Sequence, residues 1–263
     1  MSYRHLNSVF ALLIATPLII LLAIPFLTLV GSLSDIAWLW KIEDDSSAFT
    51  ALALSLKTSS ISAVITLISG TPIAWFLAKN KIRLTWLLQA IILVPMFLPP
   101  SIVGLTLLSA LTQKGWLVQI CPILDGMPFS MEAVIIAQLV VASPLYVMGA
   151  TAVFKRISPE LTEVARTLGS TPWDAWRRVT LPMMLPGLLI ALSLSWARSI
   201  GEFGATLLFA GHLPGVTQTA PLAIYLELER GTVGALALSL ALIGYMLPML
   251  GIVAWLGRTK WRH

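Results

Sequence analysis

Six long apolar stretches constrain this chain more than any other feature of its sequence. They cover residues 9–33, 51–77, 87–111, 133–154, 183–210 and 233–257. A helix that crosses a bilayer needs about 20 mostly apolar residues, and each stretch is at least that long. Hydrophobic residues make up 57% of the 263 residues and charged residues only 11%, which is too little charge to cover a soluble fold. The sequence therefore predicts an all-α polytopic membrane protein with six transmembrane helices.

The basic residues between these stretches predict how the helices are oriented. Cytoplasmic loops of membrane proteins are enriched in Lys and Arg, and 12 of the 17 Lys and Arg residues fall on one side, against three on the other. We therefore expect both termini in the cytoplasm. Because the cations form short clusters and no continuous stripe, we expect no nucleic-acid partner. The cytoplasmic set is Arg4, Lys79, Lys81, Arg83, Lys155, Arg156, Arg166, Arg177, Arg178, Arg258, Lys260 and Arg262; the outer set is Lys41, Lys114 and Arg230.

The first apolar stretch, the single cysteine and the three histidines argue against a cleaved signal peptide, an internal disulfide and a metal site. Residues 9–33 exceed the core of a signal peptide, which has about 7–15 residues, so we expect a retained membrane anchor. The single Cys121 excludes an internal disulfide, and His5, His212 and His263 lack metal-ligand spacing, so no metal or cofactor is expected in this chain. The predicted organisation is an N-terminal helix with an acidic outer loop (1–50), a core of five helices (51–257) and a basic tail (258–263).

Every apolar stretch contains at least one proline. A proline removes a backbone N–H donor and tends to kink its helix, and bent helices suit a transporter. Prolines are also more frequent in membrane helices in general, so both interpretations stay open. The residues concerned are Pro17, Pro25, Pro72, Pro95, Pro99, Pro100, Pro144, Pro186 and Pro248.

The longest polar segment on the cytoplasmic side, residues 155–182, predicts a short amphipathic helix. Ser158 and Pro159 form a typical helix start, and Gly169 forms a typical stop. A second helix start follows at Thr171 and Pro172 and leads into the fifth stretch. The first helix is too short to cross the membrane, so its apolar face needs a groove in another protein or, as the alternative, the lipid surface. That face comprises Leu161, Val164, Ala165 and Leu168.

The same segment resembles the EAA loop of ABC importer permeases. The family pattern is E-A-A, three residues, G, nine residues and I-x-L-P, and this chain keeps every spacing, with valines at positions 164 and 179 in place of alanine and isoleucine. The resemblance implies a type I ABC importer permease fold, in which this loop forms a coupling helix that docks on a separate ATPase subunit. The coupling residues it implies are Glu163, Val164, Ala165, Gly169, Leu181 and Pro182.

ATP would be hydrolysed by that separate subunit. The chain contains no G-x-x-x-x-G-K-[ST] phosphate-binding loop, and no cytoplasmic segment is long enough to fold as a nucleotide-binding domain. We therefore expect a permease that is not itself an enzyme, with ATP and Mg²⁺ bound by the partner.

Two opposite charges interrupt the fifth apolar stretch. Arg198 and Glu202 are four residues apart and so share one helix face. Ions inside a bilayer cost about 2.5 kcal/mol or more each on insertion scales and usually face a bundle interior or a water-filled path. The pair is either structural and self-neutralising, or Arg198 supplies positive potential to an anion path while Glu202 sets its position. Gly201 and Gly204 beside the acid permit close helix approach or local unwinding.

The string of residues 198–206 resembles the R-x-x-G-E-F-G-A-T segment of molybdate-type oxyanion permeases. Residues 98–100 with Gly104, and parts of residues 209–225, are similar to the same subfamily. The resemblance implies a homodimer around a central path for molybdate or tungstate, an extracytoplasmic oxyanion-binding protein, and a bacterial or archaeal inner membrane. The path residues it implies are Arg198, Gly201, Glu202, Phe203, Gly204 and Thr206.

Three other functions remain open from the sequence. Sulfate and thiosulfate permeases share the G-E-F-G core but usually continue differently after it. A secondary transporter driven by an ion gradient would need internal repeats and intramembrane acids, for which Glu202 alone is a poor relay. An intramembrane enzyme would need a nucleophile with a base, and none of the histidines lies in a predicted span.

Overall fold

The structure is a computed structural model that describes residues 2–31, 46–80, 82–157 and 159–259. Over these residues the chain is helical and has no β-strand, which confirms the predicted all-α architecture. A 3₁₀ turn (Pro122–Leu124) and a π-helical turn (Trp176–Thr180) accompany the α-helices. The helices are α1 (Ser2–Gly31), α2 (Ser46–Lys79), α3 (Arg83–Phe97), α4 (Pro100–Leu111), α5 (Trp116–Ile120), α6 (Met131–Arg156), α7 (Pro159–Thr167), α8 (Pro172–Ala175), α9 (Leu181–Ile200), α10 (Gly204–Ala210), α11 (Ala220–Arg230) and α12 (Thr232–Thr259).

Five helical segments of the described chain are long and apolar enough to cross a membrane. Two further apolar helical segments, Arg83–Phe97 and Thr232–Pro248, are shorter. The number of six crossings therefore stays a prediction. The acidic run at residues 43–45 and the last four residues of the basic tail lie outside the described residues. The five long segments are Ile14–Gly31, Ala48–Lys79, Pro100–Ile120, Met131–Arg156 and Pro172–Ile200.

The third and fifth apolar stretches, each predicted as one membrane span, are interrupted. Leu98 and Pro99 separate α3 from α4 and have extended backbones, with ψ angles of 139° and 131°. A residue that precedes proline is pushed out of the α conformation, and both residues precede one. Gly201, Glu202 and Phe203 separate α9 from α10, where glycine has little helix propensity. The tandem prolines thus interrupt the third stretch, and the fifth is interrupted at Gly201, one of the glycines expected to permit local unwinding, whereas the prolines inside α2, α6 and α9 do not end their helices.

Helices α2 and α6 pack side by side and run parallel. The Gln138 amide donates a hydrogen bond to Thr58 Oγ1 at 3.2 Å. Thirteen residues further along α6, the Thr151 hydroxyl contacts the Ala74 carbonyl oxygen of α2 at 3.4 Å. Both contacts advance along the two chains in the same direction. A single crossing between α2 and α6, as the predicted topology has it, accounts for this direction.

Helix α9 runs antiparallel to α6 at short range. A Cβ atom on Gly149 would lie 2.8 Å from the Cβ of Ala191, and one on Gly187 would lie 2.7 Å from a methyl group of Val153. Small residues of this kind let membrane helices approach closely. The relative directions of α2, α6 and α9 match the alternation predicted for the second, fourth and fifth stretches.

The short helices α4 and α10, which follow the two interruptions, pack against each other. Gly104 of α4 faces the backbone of Ala205 in α10, where an added Cβ would lie 2.5 Å from the Ala205 carbonyl oxygen. A Cβ on Gly204 would lie 3.1 Å from the Ser101 backbone nitrogen. The two interruptions are therefore neighbours in space. Both short helices share an apolar cluster with α6, which includes Val103, Leu111, Ala133, Val134, Ala137, Val141, Ala205, Phe209 and Ala210.

Candidate functional site

Arg198 and Glu202 form an ion pair at the end of α9. The Arg198 Nη1 atom lies 2.7 Å from Glu202 Oε2. The Glu202 side chain is 1% exposed and that of Arg198 is 33% exposed. The carboxylate therefore lies inside the protomer, while the guanidinium reaches its surface. A carboxylate buried without a counter-ion would cost several kcal/mol, so the pairing compensates the burial of Glu202.

The second carboxylate oxygen of Glu202 connects the pair to the next helix. Glu202 Oε1 accepts a hydrogen bond from the Ala205 N–H at 2.9 Å. This N–H belongs to the first turn of α10, whose N–H groups have no partner within the helix and whose dipole favours negative charge. One side chain thus holds the end of α9, through Arg198, and the start of α10 across the interruption.

The other predicted path residues divide into surface and interior positions. Gly201 is exposed, and Phe203 is half-buried with its ring centroid 5.3 Å from that of Tyr225 on α11. Gly204 is half-buried against α4, and Thr206 is buried. The structure therefore brings Arg198, Gly201 and Phe203 to the protomer surface. Glu202, Gly204 and Thr206 lie behind them.

A row of buried hydroxyl groups on α2 was not predicted from the sequence. Its members are at most 1% exposed, and they follow the i, i+3, i+4, i+7, i+11 spacing of one helix face, which is a signal that the sequence did contain. Two of them link α2 to other segments: Thr58 accepts from Gln138 at 3.2 Å, and Ser55 accepts from the Ala220 N–H at 2.7 Å. The row comprises Ser55, Thr58, Ser59, Ser62 and Thr66.

The predicted helix of the cytoplasmic loop is present as α7. It begins at the first proline of the loop, while its predicted cap Ser158 lies outside the described residues. Gly169 has a φ of 92°, a left-handed conformation that glycine adopts without strain. The Gly169 N–H donates to the Arg166 carbonyl at 3.0 Å, and the Ser170 N–H donates to the Ala165 carbonyl at 3.1 Å. This is the Schellman pattern of a helix end, so the predicted stop is confirmed.

The apolar face of α7 is open. Val164 is 56% exposed and Leu168 is 82% exposed. Glu163 is also exposed, and Ala165 is half-buried. The side chain of Leu161, the remaining residue of the predicted face, lies outside the described residues. Val164 and Leu168 are not covered within the described part of the chain, so they require a partner or the lipid surface.

Helix α8 joins the loop to α9 without a break. Thr171 Oγ1 accepts a hydrogen bond from the Asp174 N–H at 3.1 Å and so caps α8, as predicted. The π-helical turn that follows leads directly to Leu181 and Pro182 in the first turn of α9. A continuous helical connection of this kind can carry a rigid-body displacement from the loop into the membrane segment.

A pair of stacked tryptophans extends the open surface of the loop. The rings of Trp173 and Trp176 have centroids 5.1 Å apart and an interplanar angle of 20°. Their side chains are 64% and 39% exposed. Sequence reasoning missed this pair, although the i, i+3 spacing places both residues on one helix face.

Comparison with known proteins identifies the family of this chain. Residues 70–262 match the family described as binding-protein-dependent transport system inner membrane component. The chain belongs to this family. It is a multi-pass inner membrane permease and is not itself an enzyme.

Relatives transport molybdenum or sulfate, according to their names. The permease is 40% identical over 205 residues to the molybdenum transport system permease protein ModB of Mycobacterium tuberculosis, and the aligned residues cover 78% of each chain. It is 34% identical over 214 residues to ModB of Escherichia coli, covering 80% of this chain and 93% of the relative. It is 28% identical over 235 residues to the sulfate transport system permease protein CysT of Salmonella typhimurium, covering 87% of this chain and 85% of the relative.

Solved transporter structures share the fold of the permease. A chain of the bacterial alginate ABC transporter superposes with a TM-score of 0.67 at 18% identity and covers 98% of this chain and 96% of that one. The methionine ABC transporter MetNI gives a TM-score of 0.58 at 18% identity, covering 80% of this chain and 94% of that one. The ABC permease fold expected from the sequence is therefore confirmed.

Proposed function

We propose that the permease forms the membrane path of an ATP-driven importer for molybdate or tungstate. The observation that carries this proposal is the higher identity to molybdenum permeases, 40% and 34%, than to the sulfate permease, 28% over a comparable share of the chain. Molybdate and tungstate are tetrahedral dianions of nearly equal size. A path that accepts one is therefore expected to accept the other.

Arg198 is the residue that we expect to meet the anion. The ion pair presents its positive partner toward the protomer surface, because the Arg198 side chain is one-third exposed and the Glu202 side chain is buried. A guanidinium carries five N–H donors in a fixed fork, and Glu202 approaches this one through Nη1. A cation already paired with a carboxylate holds an anion weakly, which suits a path that must also release it. Gly201 and Phe203 would line the path beside it, supported from within by Gly204 and Thr206.

A homodimer would place two such pairs around one path. A dianion would then meet one guanidinium from each copy, with matched charge. An oxyanion-binding protein outside the membrane would select the substrate and deliver it, so the path itself need not distinguish molybdate from tungstate.

Coupling to ATP hydrolysis would occur through the cytoplasmic loop. The open face of α7, with Val164, Ala165 and Leu168, would dock in a groove of an ATPase subunit that binds ATP and Mg²⁺. Glu163 would contact the rim of that groove, and Gly169 would fix where the helix ends. The α8 connection to Leu181 and Pro182 would then transmit closure of the ATPase to α9. A loop that docks on an ATPase would lie in the cytoplasm, and with six crossings both termini would lie there too.

Sulfate is the second candidate substrate. The observation in its favour is the 28% identity to a sulfate permease over 87% of this chain. Sulfate is also a tetrahedral dianion, so the role of Arg198 and the coupling mechanism would be unchanged.

Reconstitution of the permease with its ATPase subunit and binding protein tests the substrate. ATPase activity would be measured with molybdate, tungstate or sulfate on the binding protein. We expect stimulation by the two metal oxyanions only, and stimulation by sulfate alone would replace the substrate while keeping the mechanism. Failure of the permease to associate with an ATPase would refute the coupling proposal.

Glu163→Lys tests the coupling loop in the same assay. We expect normal membrane insertion and loss of substrate-stimulated ATPase activity. The matched control is Glu229→Lys, the same charge reversal at an exposed position of α11. Normal transport by Glu163→Lys would show that this part of the loop does not couple.

A further inference from the structure

A cavity of about 540 Å³ lies where α2 ends, α3 begins and α6 ends. Its wall includes Lys79, Trp86, Gln89 and Lys155. In the predicted orientation these three helix ends lie at the cytoplasmic surface of the membrane, and we call this space the inner cavity. Neither the Arg198 ion pair nor the docking face of α7 uses it.

The inner cavity carries positive charge that its own segments do not neutralise. Lys79 and Lys155 are both exposed and approach the cavity from different helices. Within the described residues 46–80 and 82–157, the acidic residues are Asp125 and Glu132. Glu132 is in the first turn of α6 and Lys155 in its last, about 35 Å apart at 1.5 Å per residue. Asp125 precedes α6 in the outer loop, and the next acidic residue along the chain is Glu160 in the first turn of α7. Both lysines are exposed, so their ammonium groups are accessible to an anion from the solvent or the membrane.

The cavity combines this charged rim with an apolar floor. Leu77 and Phe154 line it and are buried members of the core cluster shared by α2, α6 and α9. At its edge, Trp86 is 73% exposed and Leu87 is 48% exposed on α3, and this exposed apolar side of the helix continues to Ile91 and Val94. Tryptophan is enriched at the level of the lipid headgroups. A charged rim above an apolar floor that continues to the lipid-facing surface fits an amphiphile with an anionic head.

We propose that the inner cavity binds the phosphate headgroup of an anionic phospholipid of the cytoplasmic leaflet. Lys79 and Lys155 contact the phosphate oxygens from two helices, and Gln89 supplies a neutral hydrogen-bond donor. Trp86 packs against the glycerol and ester region. The bound lipid bridges the inner ends of α2 and α6, and α6 leads through Ile157 into the coupling loop. Basic pockets between membrane helices on the cytoplasmic side bind anionic headgroups in this way.

Two charge-matched double variants test the site in the transporter purified with its ATPase subunit. The first, Lys79→Gln with Lys155→Gln, removes the two cavity lysines. The control, Arg83→Gln with Arg156→Gln, removes two exposed cations from the same helix ends that do not line the cavity. Each transporter is incubated with equal amounts of phosphatidylglycerol and phosphatidylcholine of identical acyl chains, and the retained lipid is counted by native mass spectrometry.

We expect selective retention of phosphatidylglycerol by the wild type and the control. The lysine variant should lose about fivefold in phosphatidylglycerol affinity for each lysine removed, with unchanged thermal stability because both side chains are exposed. Trp86→Phe should reduce retention less than the lysine variant does. Equal losses of phosphatidylglycerol in both double variants would show that only the total positive charge matters and would overturn the proposal. Equal retention of phosphatidylglycerol and phosphatidylcholine by the wild type would also overturn it. Displacement of the lipid by excess inorganic phosphate would instead assign the lysines to a soluble anion.

Discussion

The coupling loop and the α9–α10 interruption depart from ordinary burial in opposite directions. In the loop, Leu168 is apolar and 82% exposed. At the interruption, Glu202 is charged and 1% exposed within a membrane segment. The chain compensates the second departure itself, through Arg198 and the Ala205 N–H, but the first has no compensation within the described residues. The open face of the loop therefore calls for a partner or the lipid surface, whereas the charged pair is satisfied within the protomer.

The glycines of the two regions show the same contrast. Gly104 beside the interruption is required for space, because an added Cβ would lie 2.5 Å from the Ala205 carbonyl oxygen. Gly169 in the loop is required for its left-handed backbone, and a Cβ there would meet nothing within 4 Å. One region is fixed by packing against neighbours and the other by its local conformation.

Removal of Arg198 should have the largest effect on stability. Arg198→Ala leaves the Glu202 carboxylate buried without its counter-ion, and breaking a buried pair in this way costs about 3–5 kcal/mol. Because the Arg198 side chain is one-third exposed, we expect the lower end, about 3 kcal/mol. Denaturation of the purified permease in detergent measures the loss.

The double variant Arg198→Met with Glu202→Gln separates the structural role from transport. Glutamine keeps an oxygen acceptor for the Ala205 N–H, so most of the lost stability should return. Import should stay defective if the guanidinium meets the anion. Full stability of Arg198→Ala together with lost import would mean that the pair contributes nothing to the fold and would remove the contrast between the two regions.

Leu168→Asp tests the opposite region. A charge on the open face of α7 should weaken ATPase association by about 30-fold, which corresponds to about 2 kcal/mol and is typical of a residue central to an interface. The thermal stability of the permease should not change, because the side chain is already exposed. Binding of the ATPase subunit to the reconstituted permease is the measurement. Leu228→Asp on α11, where the leucine is 55% exposed, is the control, and equal effects of both substitutions would deny α7 a special role.

Gly104→Ala should destabilise the permease by about 2 kcal/mol, within the range for overpacking a tight contact. The added methyl group would push α4 and α10 apart, and these helices follow the two interruptions. Gly244→Ala in α12, where an added Cβ meets nothing within 4 Å, is the matched control and should not lower the thermal midpoint, because alanine favours a helix more than glycine does. An equally stable Gly104→Ala variant would show that the two short helices can separate at no cost.

The sequence predicted features that depend on local chemistry. The proline start and glycine stop of α7 and the cap at Thr171 depend on residues within one helical turn, and each is present. The ABC permease fold followed from spaced motifs that the family comparison supports. Residues within one helical turn determine where a helix begins and ends, so these features could be predicted without knowing the neighbouring helices.

Prolines in every apolar stretch and unwinding permitted at Gly201 were predicted, but which of these positions interrupt a helix was not decided from the sequence. Every apolar stretch contains proline, yet Pro72 and Pro144 lie inside unbroken helices. Tandem prolines force the residues at 98 and 99 out of the helix, a signal that was available but was not distinguished from the single prolines. The break at 201–203 also requires the contact of α10 with α4, which only the tertiary structure provides. For the same reason the sequence could place Arg198 and Glu202 on one face but not decide which of them is buried.

The smallest effect is expected for Gly169→Ala. A left-handed conformation costs an L-residue about 1–2 kcal/mol, and with open space around the position we expect about 1 kcal/mol, confined to the end of α7. Hydrogen exchange of the α7 amides and the ratio of ATP hydrolysed to substrate imported should both rise, while the thermal midpoint of the membrane domain stays constant. Gly169→Asn should be milder, because asparagine tolerates this conformation better. A drop in the thermal midpoint as large as that of Gly104→Ala would mean that the loop is part of the packed membrane core, and the contrast between the two regions would then be one of degree.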